Sequence, residues 1–116
     1  MFEEIFTTFY NKNEGIKAIG VWGKDGLELE KKHFSEVGDI DLEFSGAEIA
    51  DITSKLDTTR ISPEAFFIKL HFHKYFLIIF SLTPDYFLMI LSGKEIIDGK
   101  LSFYLNLYKE KLIAAL

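Results

Sequence analysis

The sequence predicts an α+β domain in which a five-stranded, mostly antiparallel sheet carries three helices, in the order helix, two strands, helix, three strands, helix. Three observations predict it. Apolar residues recur at helical spacing near both ends of the chain, an Asp-Gly turn joins two short runs near residue 25, and three further β-type runs follow between residues 66 and 91 with only short turns between them.

Phe2, Ile5, Phe6, Phe9 and Tyr10 recur at steps of three and four, with Glu3, Glu4, Thr7, Thr8 and Asn11 on the other side, so the first dozen residues form an amphipathic helix. Asn13-Glu14-Gly15 ends it, because Gly and Asn accept the left-handed conformation that closes a helix. Ile16 to Gly23 is a strand with Ile19 and Val21 on one face and Ala18, Gly20 and Trp22 on the other. Lys24-Asp25-Gly26 supplies a tight turn. Leu27 to Lys32 returns, with Leu27 and Leu29 alternating against Glu28 and Glu30.

From His33 to Phe44 the pattern is mixed: Ile40, Leu42 and Phe44 alternate with Asp39, Asp41 and Glu43. Ser45 and Glu48 form a capping box, so a second helix starts near Gly46, carries the stripe Ile49, Ile52 and Leu56, and ends at Asp57-Thr58-Thr59. Phe66, Ile68, Leu70 and Phe72 then alternate with Phe67, Lys69, His71 and His73. Tyr75 to Leu82 is almost continuously apolar, as a strand covered on both faces must be. Thr83-Pro84-Asp85 turns the chain and Tyr86 to Leu91 completes a meander. A closing helix from about Glu95 presents Ile97, Leu101, Tyr104, Leu105, Tyr108 and Leu112 inward.

At 116 residues the chain is the size of a single domain, spanning 1–116. A composition 48% hydrophobic, 27% charged and 16% aromatic excludes a disordered or collagen-like chain. The absence of cysteine removes disulfides, thiol nucleophiles and thiolate metal sites. A net charge of −5 offers no cationic surface to collect phosphates, so nucleic acid is not an expected partner. The Met-Phe-Glu-Glu start lacks the basic region of a secretory signal. The apolar stretch from Tyr75 to Leu91 is interrupted at Thr83-Pro84-Asp85, short of the roughly 20 residues a spanning helix needs. The expectation is a cytoplasmic protein without membrane insertion.

Motifs for chemistry are tested by their spacing. Gly23-Lys24, Gly93-Lys94 and Gly99-Lys100 have Ala18, Leu88 and Lys94 where a phosphate-binding loop needs its first glycine. Asp39, Asp41 and Glu43 open like a calcium loop, but Phe44 and Ala50 stand where glycine and glutamate belong. His71 and His73 share a strand face, yet no third metal ligand lies near them in sequence. No nucleophile elbow or acid–base set is visible, so neither catalytic residue, cofactor nor metal is expected. Arg60, the sole arginine, is a candidate for contacting a partner, since a loop arginine inserted into a GTPase site neutralises transition-state charge. A solvated loop charge is the plainer reading of the same residue.

The hairpin Glu14-Gly15-Ile16-Lys17-Ala18-Ile19-Gly20-Val21-Trp22-Gly23-Lys24-Asp25-Gly26-Leu27-Glu28-Leu29 resembles that of the roadblock (dynein light-chain roadblock) domain family, of the prokaryotic type associated with small GTPases. Tyr75 to Gly93 resembles the paired hydrophobic strands of that family, and the closing helix falls where its last helix lies. The sequence departs from the family pattern at Gly23, where a polar residue is usual, and at Lys100, near a common arginine. The resemblance implies a profilin-like roadblock architecture and a homodimer formed through the second helix and third strand, with Ile49, Ile52, Leu56, Phe67, Lys69 and His71 at the interface. It further implies a non-enzymatic regulator or scaffold that binds a Ras-like small GTPase and modulates its GTP hydrolysis.

A bare apolar strand such as Phe66 to Phe72 is a pairing hazard that a symmetric partner would cover, although the row Lys69, His71, His73 argues the other way. The alternative from another class is a small-molecule sensing module of the PAS or GAF kind. That reading needs an internal cavity, where the aromatic residues of this chain supply filling.

Overall fold

A computed structural model describes residues 1–35, 67–72 and 74–116. The expected second helix, its Ser45/Glu48 cap, the acidic run from Asp39, Arg60, Phe66 and His73 lie outside the described residues. Within them the order is α1 (Phe2–Lys12), β1 (Ile16–Gly23), β2 (Glu28–His33), β3 (Phe67–His71), β4 (Phe76–Thr83), β5 (Tyr86–Ser92) and α2 (Asp98–Ala114). The strands form one sheet in the order β2-β1-β5-β4-β3. All its ladders are antiparallel, so the expected hairpin and meander are both present.

Strand alternation sorts the apolar side chains onto two faces. Ile19, Val21, Ile78, Phe80, Leu88 and Ile90 face one side, where Ile5, Phe6 and Phe9 of α1 and Leu101, Leu105 and Leu112 of α2 close over them. Ala18, Trp22, Leu77, Ile79, Phe87, Met89 and Leu91 form the other buried face, to which neither α1 nor α2 contributes. Each fully buried large side chain stabilises the fold by about 1.5–3 kcal/mol of transfer free energy. Ile16 joins Ile19 on the helix side despite its odd spacing, because the β1–β5 register slips by one residue between Ile16 and Ala18.

Turn chemistry follows the sequence. Gly15 and Gly26 have φ of 91° and 88°, the left-handed region that glycine enters without strain. The Asp25 carboxylate accepts the Leu27 amide at 3.0 Å, and Thr83 Oγ1 accepts the amides of Asp85 and Tyr86, each at 3.2 Å. The two turns are tied together where the Lys24 amide donates to the Asp85 carbonyl at 2.9 Å.

Three expectations are corrected. Leu27 belongs to the turn rather than the strand, and Leu27 and Leu29 are exposed rather than core-facing. β2 is an edge strand, and a bulge in its pairing between Val21 and Trp22 leaves Leu29 without an opposite number. Ile97 is 59% exposed because it is the N-cap residue of α2, and Ile96 is the buried one. Tyr10 also lies outside the core, stacked on Phe34 with ring centroids 4.3 Å apart.

Candidate interaction surface

β3 closes one edge of the sheet. Among the described residues it pairs only with β4, with Phe67 opposite Phe80, Lys69 opposite Ile78 and His71 opposite Phe76. Among the described residues nothing pairs with its outward backbone row, the side on which a further strand adds to a sheet. Alternation sends Ile68 and Leu70 to the face holding Trp22, where they pack against that cluster. Phe67, Lys69 and His71 stand on the face that carries α1 and α2.

Lys69 and His71 do more than make that row polar. The Lys69 ammonium donates to both carboxylate oxygens of Asp98, at 2.7 and 2.9 Å, and lies 3.8 Å from the centroid of the Phe76 ring. Lys94 approaches the same ring at 3.9 Å and donates to the Phe72 carbonyl at 2.8 Å. His71 meets Phe76 edge-on, with centroids 4.7 Å apart. One aromatic ring thus gathers two cations and an imidazole, and Asp98 pins the middle of β3 to the first turn of α2. That carboxylate is also well placed at the positive end of the helix dipole.

Phe67, Lys69 and His71 are thereby brought onto one strip along the β3 edge, while Ile49, Ile52, Leu56 and Arg60 fall outside the described residues. Phe76, Lys94 and Asp98 escaped the sequence reading because they come from three separate elements. Only the ladder register shows that they meet Lys69. On the opposite side of α2, Phe103 and Leu107 are 61% and 57% exposed, a second apolar feature that the inward stripe overshadows in the sequence.

At the far edge, Glu3 of α1 binds Lys32 of β2 at 2.6 Å, and the hydrogen bond and charge of that lysine hold the Glu3 carboxyl below its ordinary range. A groove of about 320 Å³ between α1 and α2, lined by Met1, Glu4, Ile5, Thr8, Tyr108, Lys111 and Ala114, opens to solvent. It is not the enclosed interior cavity that a sensing module requires. Among the described residues no cluster of three potential ligands could hold a metal ion. No described helix is long and apolar enough to cross a membrane.

No family model matches the sequence, and no curated protein matches it. Solved structures do. MglC from Myxococcus xanthus is 24% identical, with 99% of this chain and 98% of that one aligned at a TM-score of 0.68. The gliding protein MglB from Thermus thermophilus is 12% identical over 97% of this chain and 85% of its own, at 0.78. A Roadblock/LC7 domain from Streptomyces avermitilis is 13% identical over 94% and 92%, at 0.68. The chain has the roadblock fold. The resemblance first seen in the β1–β2 hairpin thus extends over nearly the whole chain, and β3 is an edge strand of that fold's sheet.

Proposed function

We propose that this chain is a non-enzymatic regulator or scaffold that works as a homodimer and engages a Ras-like small GTPase. The observation that carries the reading is the alignment of nearly the whole chain with MglC, with the gliding protein MglB and with a Roadblock/LC7 domain. The β3 edge, which among the described residues pairs only with β4, supports the homodimer. Two copies of β3 would continue the sheet across a two-fold axis, with Phe67, Lys69 and His71 flanking the seam and Ile49, Ile52 and Leu56 of the expected second helix completing it. Lys69 would serve this interface indirectly, since its ammonium is already held by Asp98 and Phe76 and fixes the strand that pairs. The output of such a protein is surface, with no nucleophile, metal or cofactor involved.

The test is a pull-down of small GTPases from the same genome, loaded in turn with GDP and a GTP analogue. Nucleotide-dependent capture by this chain is the expected result; no capture in either state overturns the GTPase reading. Where hydrolysis is accelerated, Arg60→Ala separates two mechanisms. Loss of stimulation assigns Arg60 as the inserted cation, and undiminished stimulation assigns the effect to repositioning of the GTPase's own residues.

A further inference from the structure

The closing helix carries two apolar stripes where a surface helix ordinarily has one. Leu101, Leu105 and Leu112 are fully buried against the sheet. On the opposite side, Lys100, Phe103, Leu107 and Glu110 recur at steps of three, four and three, the spacing of a helix seam that meets another helix. All four are exposed. The Phe103 ring meets that of Tyr104 edge-on, with centroids 5.4 Å apart, and projects into solvent. Within the described residues neither Lys100 nor Glu110 makes an ion pair.

The order of these residues is what identifies the occupant. Reversed about Leu105, the stripe reads as its own complement: Phe103 exchanges with Leu107, and Lys100 exchanges with Glu110. We infer that the outer face of α2 is a second homotypic interface, packing antiparallel against the same helix of another copy. Phe103 of each copy then meets Leu107 of the other, and Lys100 of each meets Glu110 of the other at both ends of the contact. A parallel arrangement would instead set lysine on lysine and glutamate on glutamate. Isologous two-fold contacts demand this kind of self-complementarity. With two apolar side chains from each copy, the contact belongs to the small, reversible class of interfaces and forms at high protein concentration. It is separate from the β3 edge, so a chain already paired there would assemble further through α2.

Sedimentation equilibrium over a rising concentration series tests this on the full chain. The wild type should double in mass from its low-concentration species, whatever that species is. Phe103→Asp should abolish the doubling, with far-UV circular dichroism and melting temperature showing that the fold is intact. Lys100→Glu turns both end pairs repulsive and should weaken the association about tenfold. Adding Glu110→Lys to it restores opposite charges and should recover the wild-type constant to within about threefold. Because the chain has no cysteine of its own, a mixture of Phe103→Cys and Leu107→Cys proteins should oxidise mainly to the mixed disulfide.

Absence of any doubling, a doubling that survives Phe103→Asp, or failure of the charge reversal to rescue each overturns the inference. Capture of a GTPase that is lost in Phe103→Asp, with no change in mass between the two proteins, would hand this face to a different occupant and overturn it as well. The β3-edge reading is untouched by all of these, because the substitutions lie on the far side of α2.

Discussion

Gly20 lies in the middle of β1, paired with Lys31 of β2 and Met89 of β5, and substituting it sets two well-known effects against each other. Alanine in a strand interior is ordinarily better than glycine by roughly 0.5–1 kcal/mol, because glycine loses more backbone freedom on folding. Here the space a methyl group needs is already taken. A Cβ at position 20 would overlap the Cη2 and Cζ3 atoms of Trp22 and come within 3.0 Å of the Glu30 carbonyl. The indole is completely buried and stacked beside Phe87, with ring centroids 6.4 Å apart, so it has little room to swing aside. Overpacking of this kind costs about 1–3 kcal/mol. The steric term wins, and Gly20→Ala should lose about 1 kcal/mol of stability, lowering the melting temperature by about 5 °C.

Urea unfolding at fixed protein concentration measures the loss, and Trp22, the only tryptophan, reports the displacement through its emission. The decisive comparison is made in a Trp22→Leu background. There the obstruction is gone, and Gly20→Ala should become neutral or stabilising, giving a coupling energy of about 1 kcal/mol or more between the two sites. A stabilised Gly20→Ala with unchanged tryptophan emission would show that the ring does not lie over Gly20 and would refute the reasoning.

Further substitutions probe the remaining parts of the frame. Gly15→Ala forces a side chain into φ of 91° and should cost about 1 kcal/mol, whereas Gly99→Ala, in open space within the first turn of α2, should gain about 0.5–1 kcal/mol; thermal melts that rank them the other way would contradict both backbone assignments. Thr83→Ala leaves the Asp85 and Tyr86 amides without their acceptor and should destabilise by about 1 kcal/mol, while Thr83→Ser should lie near wild type in the same denaturation series. Lys32→Met should move the Glu3 carboxyl midpoint upward in an NMR titration; an unmoved midpoint would mean that the ion pair does not form in solution. The sign follows from linkage: a carboxyl held low in the folded state adds stability above its unfolded pKa, and that stability disappears as pH falls through the folded value. Because Glu3 is solvent-exposed, the side-chain titration rather than the melting curve is the sensitive readout.

Much of the sheet could be read from the sequence because its signals are local. Lys24-Asp25-Gly26 and Thr83-Pro84-Asp85 specify turns through residues whose own side chains or φ preferences make them, and the continuous apolar run from Tyr75 fits only a strand covered on both faces. Errors arose where one residue of register decided the outcome. Leu27 and Leu29 alternate as core residues do, yet the Asp25–Leu27 hydrogen bond keeps the first in the turn and the bulge opposite Val21 strands the second at an edge. Ile97 has the right spacing for the inward stripe and misses it because the helix begins one residue later. Periodicity shows which positions share a face, but not which face meets the core.

The same limit explains the interaction surfaces. Lys69 reads as a polar residue on a strand, and its role depends on Phe76, Lys94 and Asp98 converging from β4, the β5–α2 connection and α2. Nothing local foretells that convergence, since it is created by the antiparallel register that sets β3 beside β4. Phe103 and Leu107, by contrast, were visible as an i, i+4 apolar pair all along. What the sequence lacked was a reason to count them as surface, and that reason comes from Leu101, Leu105 and Leu112 taking the sheet for themselves. Once one stripe of a helix is committed, a second apolar stripe has no core left to enter, and the symmetric placement of Lys100 and Glu110 about it is what makes another copy of the same helix the occupant to test.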